Sequence, residues 1–282
     1  MSAPVRLEGG RRRTHRALRT LSVVLIVAGA LLLIDAAITV LWQEPLSALY
    51  ASLRQNALGD DLKRLETRRI ARIEVKALKR LRTERRRLTF LARAERGRAN
   101  PGDAVGRIQI PKLGTDFVVV QGTEGGDLRD GPGHYVNTPL PGEPGTVAIA
   151  GHRTTYLAPF RDIDELKHGD PIRVRMPYGD FTYQVERTRI VAPDATWVMR
   201  RIGYDRLVLT ACHPLYSAAQ RIVVFARQVR VLPRGRAGSL VATGRASSVP
   251  DIAQRHRADA DIRYRGDPIR HPAPERCWYP CR

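Results

Sequence analysis

A single long apolar run, Leu21–Trp42, interrupted only by Ser22, Asp35 and Thr39, divides the chain. As a helix it measures about 33 Å, against a hydrocarbon core of about 30 Å. The competing reading is a cleaved signal peptide with Leu21–Ile34 as its core. Against it, the run continues roughly two turns past Asp35. The only small-residue cleavage pattern, Ala28-Gly29-Ala30, lies inside the apolar core. An anchor is therefore expected. A carboxylate such as Asp35 near a helix centre costs about 2.5–3.5 kcal/mol on insertion scales unless it is protonated or faces a partner. Trp42 suits an interface. Arg6, Arg11, Arg12, Arg13, Arg16 and Arg19 precede the run, whereas the next 20 residues contain only Arg54. The excess of cytoplasmic positive charge then places residues 1–20 inside and everything after Trp42 outside, as a single-pass cell-membrane protein.

Charge is distributed just as unevenly. The 282 residues carry a formal +20, a balance that points to nucleic acid, membrane or an acidic partner. Residues 1–102 hold 22 Lys/Arg against 9 Asp/Glu, residues 103–232 hold 16 against 14, and residues 233–282 hold 10 against 5. The middle segment is an ordinary near-neutral domain, long enough to bury one core. One apolar run excludes a polytopic membrane protein, and three cysteines exclude a disulfide scaffold.

Residues 43–102 read as an extracytoplasmic helical stalk. Asp61–Arg96 lacks Gly and Pro, and Leu62, Leu65, Ile70, Ile73, Ala77, Leu81, Leu88 and Leu91 keep a three/four spacing. One continuous exposed helix of about 55 Å is expected, stopped by Gly97 and the Asn100-Pro101-Gly102 breaker. Its arginines either touch anionic lipid or wall polymer or are simply solvated. An extracytoplasmic segment whose only aromatic is Phe90 does not read as a nucleic-acid binder.

From residue 103 the texture becomes β. Strands are expected near Val105–Ile110, Phe117–Gln121, Thr146–Ala150, Ile172–Met176, Phe181–Val185, Arg187–Ala192, Arg206–Cys212 and Arg221–Val231. Tyr178-Gly179-Asp180 marks a hairpin, Pro159–Leu166 a short helix, and Gly131-Pro132-Gly133 and Pro139–Gly142 loops. Eight short strands with close turns indicate a mainly β fold, a closed or nearly closed barrel. Residues 233–282 lack periodicity and read as a disordered basic tail. Within that tail, Cys277 and Cys281 are spaced to close a small disulfide loop.

Cys212 ends an apolar strand. A lone cysteine there is ordinarily a small buried hydrophobe. The functional alternative is a thiol nucleophile, which needs a cation or base beside it. His213 is adjacent in sequence but points to the opposite face, and Pro214 keeps it extended. His152 ends a second strand after Gly151, with small Ala148 and Ala150 on its side of the pleat, and is the better partner. His134 is the reserve. Arg221, nine residues after Cys212, returns on the next strand and can bind a carbonyl or an oxyanion.

These residues carry a resemblance. Gly151-His152-Arg153-Thr154-Thr155-Tyr156, Pro159-Phe160-Arg161-Asp162, Leu209-Thr210-Ala211-Cys212-His213-Pro214, Ser217-Ala218 and Gln220–Val224 resemble a class E sortase, as do Ile110–Gly114 and Gly131–Tyr135. That group comprises membrane-anchored cysteine transpeptidases of high-GC Gram-positive bacteria. The match covers residues 103–231 and the anchor layout. It implies an eight-stranded β-barrel and a catalytic set of His152, Cys212 and Arg221. Tyr135, Thr210 and Ala211 become candidate substrate-binding residues, and Gly122–Gly126 and the loop from Ala192 to Tyr204 candidate peptide walls. The family's TLxTC signature reads Val208-Leu209-Thr210-Ala211-Cys212 here, with both outer threonines replaced.

The resemblance further implies cleavage of an LAxTG- or LPxTG-like sorting signal between Thr and Gly through a Cys212 thioester. The protein would then pass to a peptidoglycan-precursor amine, or to a pilin lysine in the polymerising alternative. Its partners would be secreted proteins bearing that signal, and neither metal nor cofactor is required. The non-enzymatic alternative is an anchored wall-binding module with a degenerate site.

Overall fold

The computed structural model describes residues 9–41 and 45–242, with side chains from 18 to 34 and from 47 onward except Ala237 and Ala242. The chain divides into two compact units at Leu46/Ser47. The first contains helix α1, Gly9–Leu41. Among the described residues no helix is long and apolar enough to cross a membrane. Trp42, Cys277 and Cys281 lie outside the described residues.

The second unit is built on eight strands: β1 (Ala104–Ile110), β2 (Thr115–Gln121), β3 (Gly133–His134), β4 (Thr146–Ala150), β5 (Pro171–Met176), β6 (Gly179–Val191), β7 (Arg206–His213) and β8 (Gln220–Pro233). They close a barrel in the order β1-β2-β3-β4-β7-β8-β6-β5. The expected eight-stranded barrel is present, but the count is reached differently. The two strands expected around Glu186 are one, β6, bent by a register shift between Val185 and Arg187. The loop at Gly131-Pro132-Gly133 supplies the eighth, β3. This two-residue strand runs parallel to β2 and antiparallel to β4, and is too short to show alternation. Pro159–Leu166 holds only a 3₁₀ turn, Ile163–Glu165.

Alternation sorts the strands into two layers. Val147, Ile149, Leu207, Leu209, Ala211, Ile222 and Val224 fill the barrel interior. Ala148, Val208, Val223 and Phe225 form an outer cluster with Val198.

The continuous stalk expected over Asp61–Arg96 is replaced by α2 (Pro45–Thr67), α3 (Arg72–Arg80) and α4 (Glu84–Arg96). The leucine spacing serves packing: Leu58 and Leu62 cover Val118 and Val120 of β2, while Leu78, Leu88, Leu91 and Ala92 join the main core. Glu74 of α3 pairs with Arg98 and Arg68, which also reach Glu95 of α4. Thr83 caps α4 at its start and Gly97 at its end. The segment read as tail begins with an ordered helix, α5 (Gly235–Ala242), whose Val241 is fully buried.

At Gly133 the chain passes so close to the Gly122 carbonyl that an added Cβ would collide with it. Gly133→Ala should therefore cost on the order of 1–3 kcal/mol, read as a lowered melting temperature of the full chain in mild detergent.

Candidate active site

The parallel pair β4–β7 builds the site. Its register runs from Thr146↔Arg206 to Ala150↔Thr210, and Gly151 N–H donates to the Thr210 carbonyl at 3.0 Å. Two residues further along each chain stand His152, beyond the end of β4, and Cys212, which alternation puts on the outer face that Val208 marks. On the other side of β7, Cys212 lies directly opposite Arg221 of β8. Directly opposed residues hold their Cβ atoms about 4.5–5.5 Å apart. The thiol and guanidinium positions are thus cross-strand neighbours on one face, as the strand return from Cys212 to Arg221 predicts.

Arg221 is held by donating from Nη1 to the carbonyls of Ala218 and Gln220, both at 2.9 Å. These bonds tie its side chain to the β7–β8 turn.

His152 is buried and its Nε2 has no hydrogen-bond partner. Burial, helped by the positive charge of Arg129, lowers its pKa from 6.5 to about 4, so the resting imidazole is neutral with an open lone pair. Tyr156 lies over it, ring centres 5.4 Å apart, and Tyr50 of α2 meets Tyr156 edge-on at 6.5 Å. Tyr50 donates to Asp130 at 2.9 Å, and Arg54 pairs with the same carboxylate at 2.5 Å. Neither Tyr50 nor Tyr156 carries a sequence signal for this placement, because their meeting depends on how α2 docks.

The reserve histidine, His134, is buried among Gln121, Thr138 and the Pro139 carbonyl. Burial also lowers its pKa to about 4, and it braces the short strand β3. Tyr135 bonds its hydroxyl to Thr210 Oγ1 at 3.0 Å and packs on the outer cluster beneath Val198. Burial raises its pKa. Tyr135 and Thr210 therefore stand together on the face that carries Cys212. Ala211 points the other way, into the barrel core.

The loop from Ala192 to Tyr204 contains a 3₁₀ turn, Thr196–Met199. It is tied down by Arg206, which donates to the carbonyls of Val198 and Arg200 at 2.8 and 3.2 Å. Trp197 stacks on Phe225, which also carries the Arg206 and Arg187 guanidinium groups at 4.9 and 5.0 Å.

The closed β-barrel sets Cys212 and Arg221 opposite each other on β7 and β8, with the buried His152 two residues past the end of β4. Residues 108–229 match the sortase domain model. The chain is similar to sortase D of Bacillus subtilis (strain 168), 36% identical over 132 residues that cover 45% of this chain and 65% of that protein. It is also similar to sortase SrtE1 of Streptomyces coelicolor, 28% identical over 156 residues that cover 50% and 44%. The chain thus spans less than two thirds of the length of these curated relatives. Among solved structures, sortase C from Clostridium perfringens SM101 shares the fold, with a TM-score of 0.50, 22% identity, and coverage of 62% of this chain and 99% of that one. Relatives of both the D and E types are present, and class E fits among them.

For His134 and His152 the folded pKa is depressed below the unfolded value of about 6.5. The unfolded chain therefore binds protons first as pH falls, and stability present above pH 6.5 is lost towards pH 4. Each group contributes at most on the order of 3 kcal/mol to that slope. His134→Gln should lower stability at pH 7 and flatten the acid limb, as measured by denaturant unfolding of the full chain at pH 7, 6, 5 and 4.

Proposed function

We propose that the chain is a membrane-anchored transpeptidase that cleaves a C-terminal sorting signal of the LAxTG or LPxTG type between Thr and Gly and transfers the protein to a cell-wall amine. The observation that supports the reading is the cross-strand pairing of Cys212 with Arg221, with the buried, neutral His152 two residues past the end of the neighbouring strand β4. In the first step the reduced Cys212 thiol gives its proton to His152 Nε2, and the sulfur attacks the threonine carbonyl. Arg221 stabilises the resulting oxyanion. The His152 imidazolium then protonates the leaving glycine amine, and a thioester remains. An incoming amine loses its proton to His152 and displaces the sulfur.

Thr210 and Tyr135, joined by their hydroxyls next to Cys212, line the peptide groove, and the Ala192–Tyr204 loop forms one wall. Ala211, in the core, acts on the site only through packing. The apolar run 21–42 serves as the anchor, with the N-terminus cytoplasmic, and residues 103–232 as the extracytoplasmic catalytic domain. Helices α2–α4 brace that domain. The acceptor is a peptidoglycan-precursor amine.

Full chain in detergent, treated with a thiol reductant, should form a thioester with LAxTG or LPxTG peptides that intact-mass spectrometry detects and that an added amine discharges. Cys212→Ala should abolish the adduct. Arg221→Ala should slow its formation about 100-fold or more. Reduced, folded protein that forms no adduct with either peptide would favour the wall-binding module instead.

A further inference from the structure

His152 and Cys212 have a second connection, behind the sheet. The residues that follow them, Arg153 and His213, leave the opposite face. There they meet, with Arg153 Nη1 3.4 Å from His213 Nδ1. Arg153 is only 3% exposed. A guanidinium so placed costs several kcal/mol unless its N–H groups are answered. Its Nε donates to the Arg161 carbonyl at 2.9 Å, and Nη2 pairs with Asp164 Oδ1 at 2.6 Å. Because a guanidinium carries donors only, His213 Nδ1 is the accepting side of this contact.

The three partners belong to two different pieces of chain. His213 ends β7. Arg161 and Asp164 lie on the segment between β4 and β5, which Phe160 closes by donating its N–H to the His152 carbonyl at 3.0 Å. Arg153 itself extends β4. The backbone contact between β4 and β7 reaches Gly151 N–H on Thr210, one residue short of His152, and the Arg153–His213 contact carries the pairing past both reacting side chains.

We propose that Arg153 is a positioning residue: from the back of the sheet it locks the end of β7 to the end of β4, and so sets the approach of His152 to Cys212. This rests on the proposed roles of those two residues. The planar fork of arginine reaches three partners on two segments at fixed angles, which the point charge of lysine does not reproduce. A misplacement of about 1 Å at the reacting atoms is worth about 100-fold in rate.

The test uses full chain with reductant, an LAxTG peptide and an amine, and measures kcat, KM and the rate of thioester formation on Cys212. Arg153→Lys should lower kcat about 10- to 100-fold, with KM within about threefold. Alkylation of Cys212 by iodoacetamide should stay near the wild-type rate, reporting a folded domain and a reachable thiol. His213→Ala should lose part of the same activity, and His213→Asn, which keeps an acceptor near the Nδ1 position, should recover it. The double variant Arg153→Lys/His213→Ala should lose less than the product of the two. Wild-type kcat in Arg153→Lys, additive losses, or a fall in kcat that matches a fall in alkylation would overturn the proposal. A wild-type chain that forms no thioester would overturn the assignment of Cys212 and His152, a separate failure visible before any variant is made.

Discussion

The parallel pairing of β4 with β7 is the contact on which the rest of the structure depends. Its register from Thr146↔Arg206 to Ala150↔Thr210 brings together two strand ends that lie sixty residues apart in sequence. Parallel neighbours cannot be joined by a tight turn. The intervening chain therefore has to travel through β5 and β6, which close the far side of the barrel. The core of Val147, Ile149, Leu207 and Leu209 on one face and the Ala148–Val208–Phe225 cluster on the other hold that pair in place.

Burial does two jobs around the site. In the barrel and its outer cluster it stabilises the fold. At His152 it also keeps the imidazole neutral and leaves Nε2 without a hydrogen-bond partner. The same desolvation at His134 has no chemical outlet: Gln121, Thr138 and the Pro139 carbonyl surround the ring, and it serves as a brace. Two histidines with the same depressed pKa thus differ in whether a nitrogen is left without a partner.

Much of the site was legible along the strands. Two-residue alternation put Cys212, Arg221 and His152 on one side and sent His213 to the other. Ala211 drew a substrate-binding reading because it adjoins Cys212 in sequence, although the same alternation turns it into the core. Strand β3 was missed because two residues cannot display a period. The helices before the barrel were misread for a different reason: a three/four leucine spacing is the same for a free helix as for one packed on a sheet. The breaks at residues 68–71 and 81–83, which let α3 and α4 fold onto the barrel, contain neither Gly nor Pro.

Local patterning was enough to establish the barrel class, the polarity of its faces and the residues able to do thiol chemistry, since alternation and turn residues act over a few positions. The meeting of Arg153 with His213 and Asp164, the aromatic contact from Tyr50 through Tyr156 to His152, and the burial that keeps that histidine neutral were settled by the folded barrel. Each joins segments far apart in the chain, and desolvation is a property of the packed surroundings rather than of any one residue.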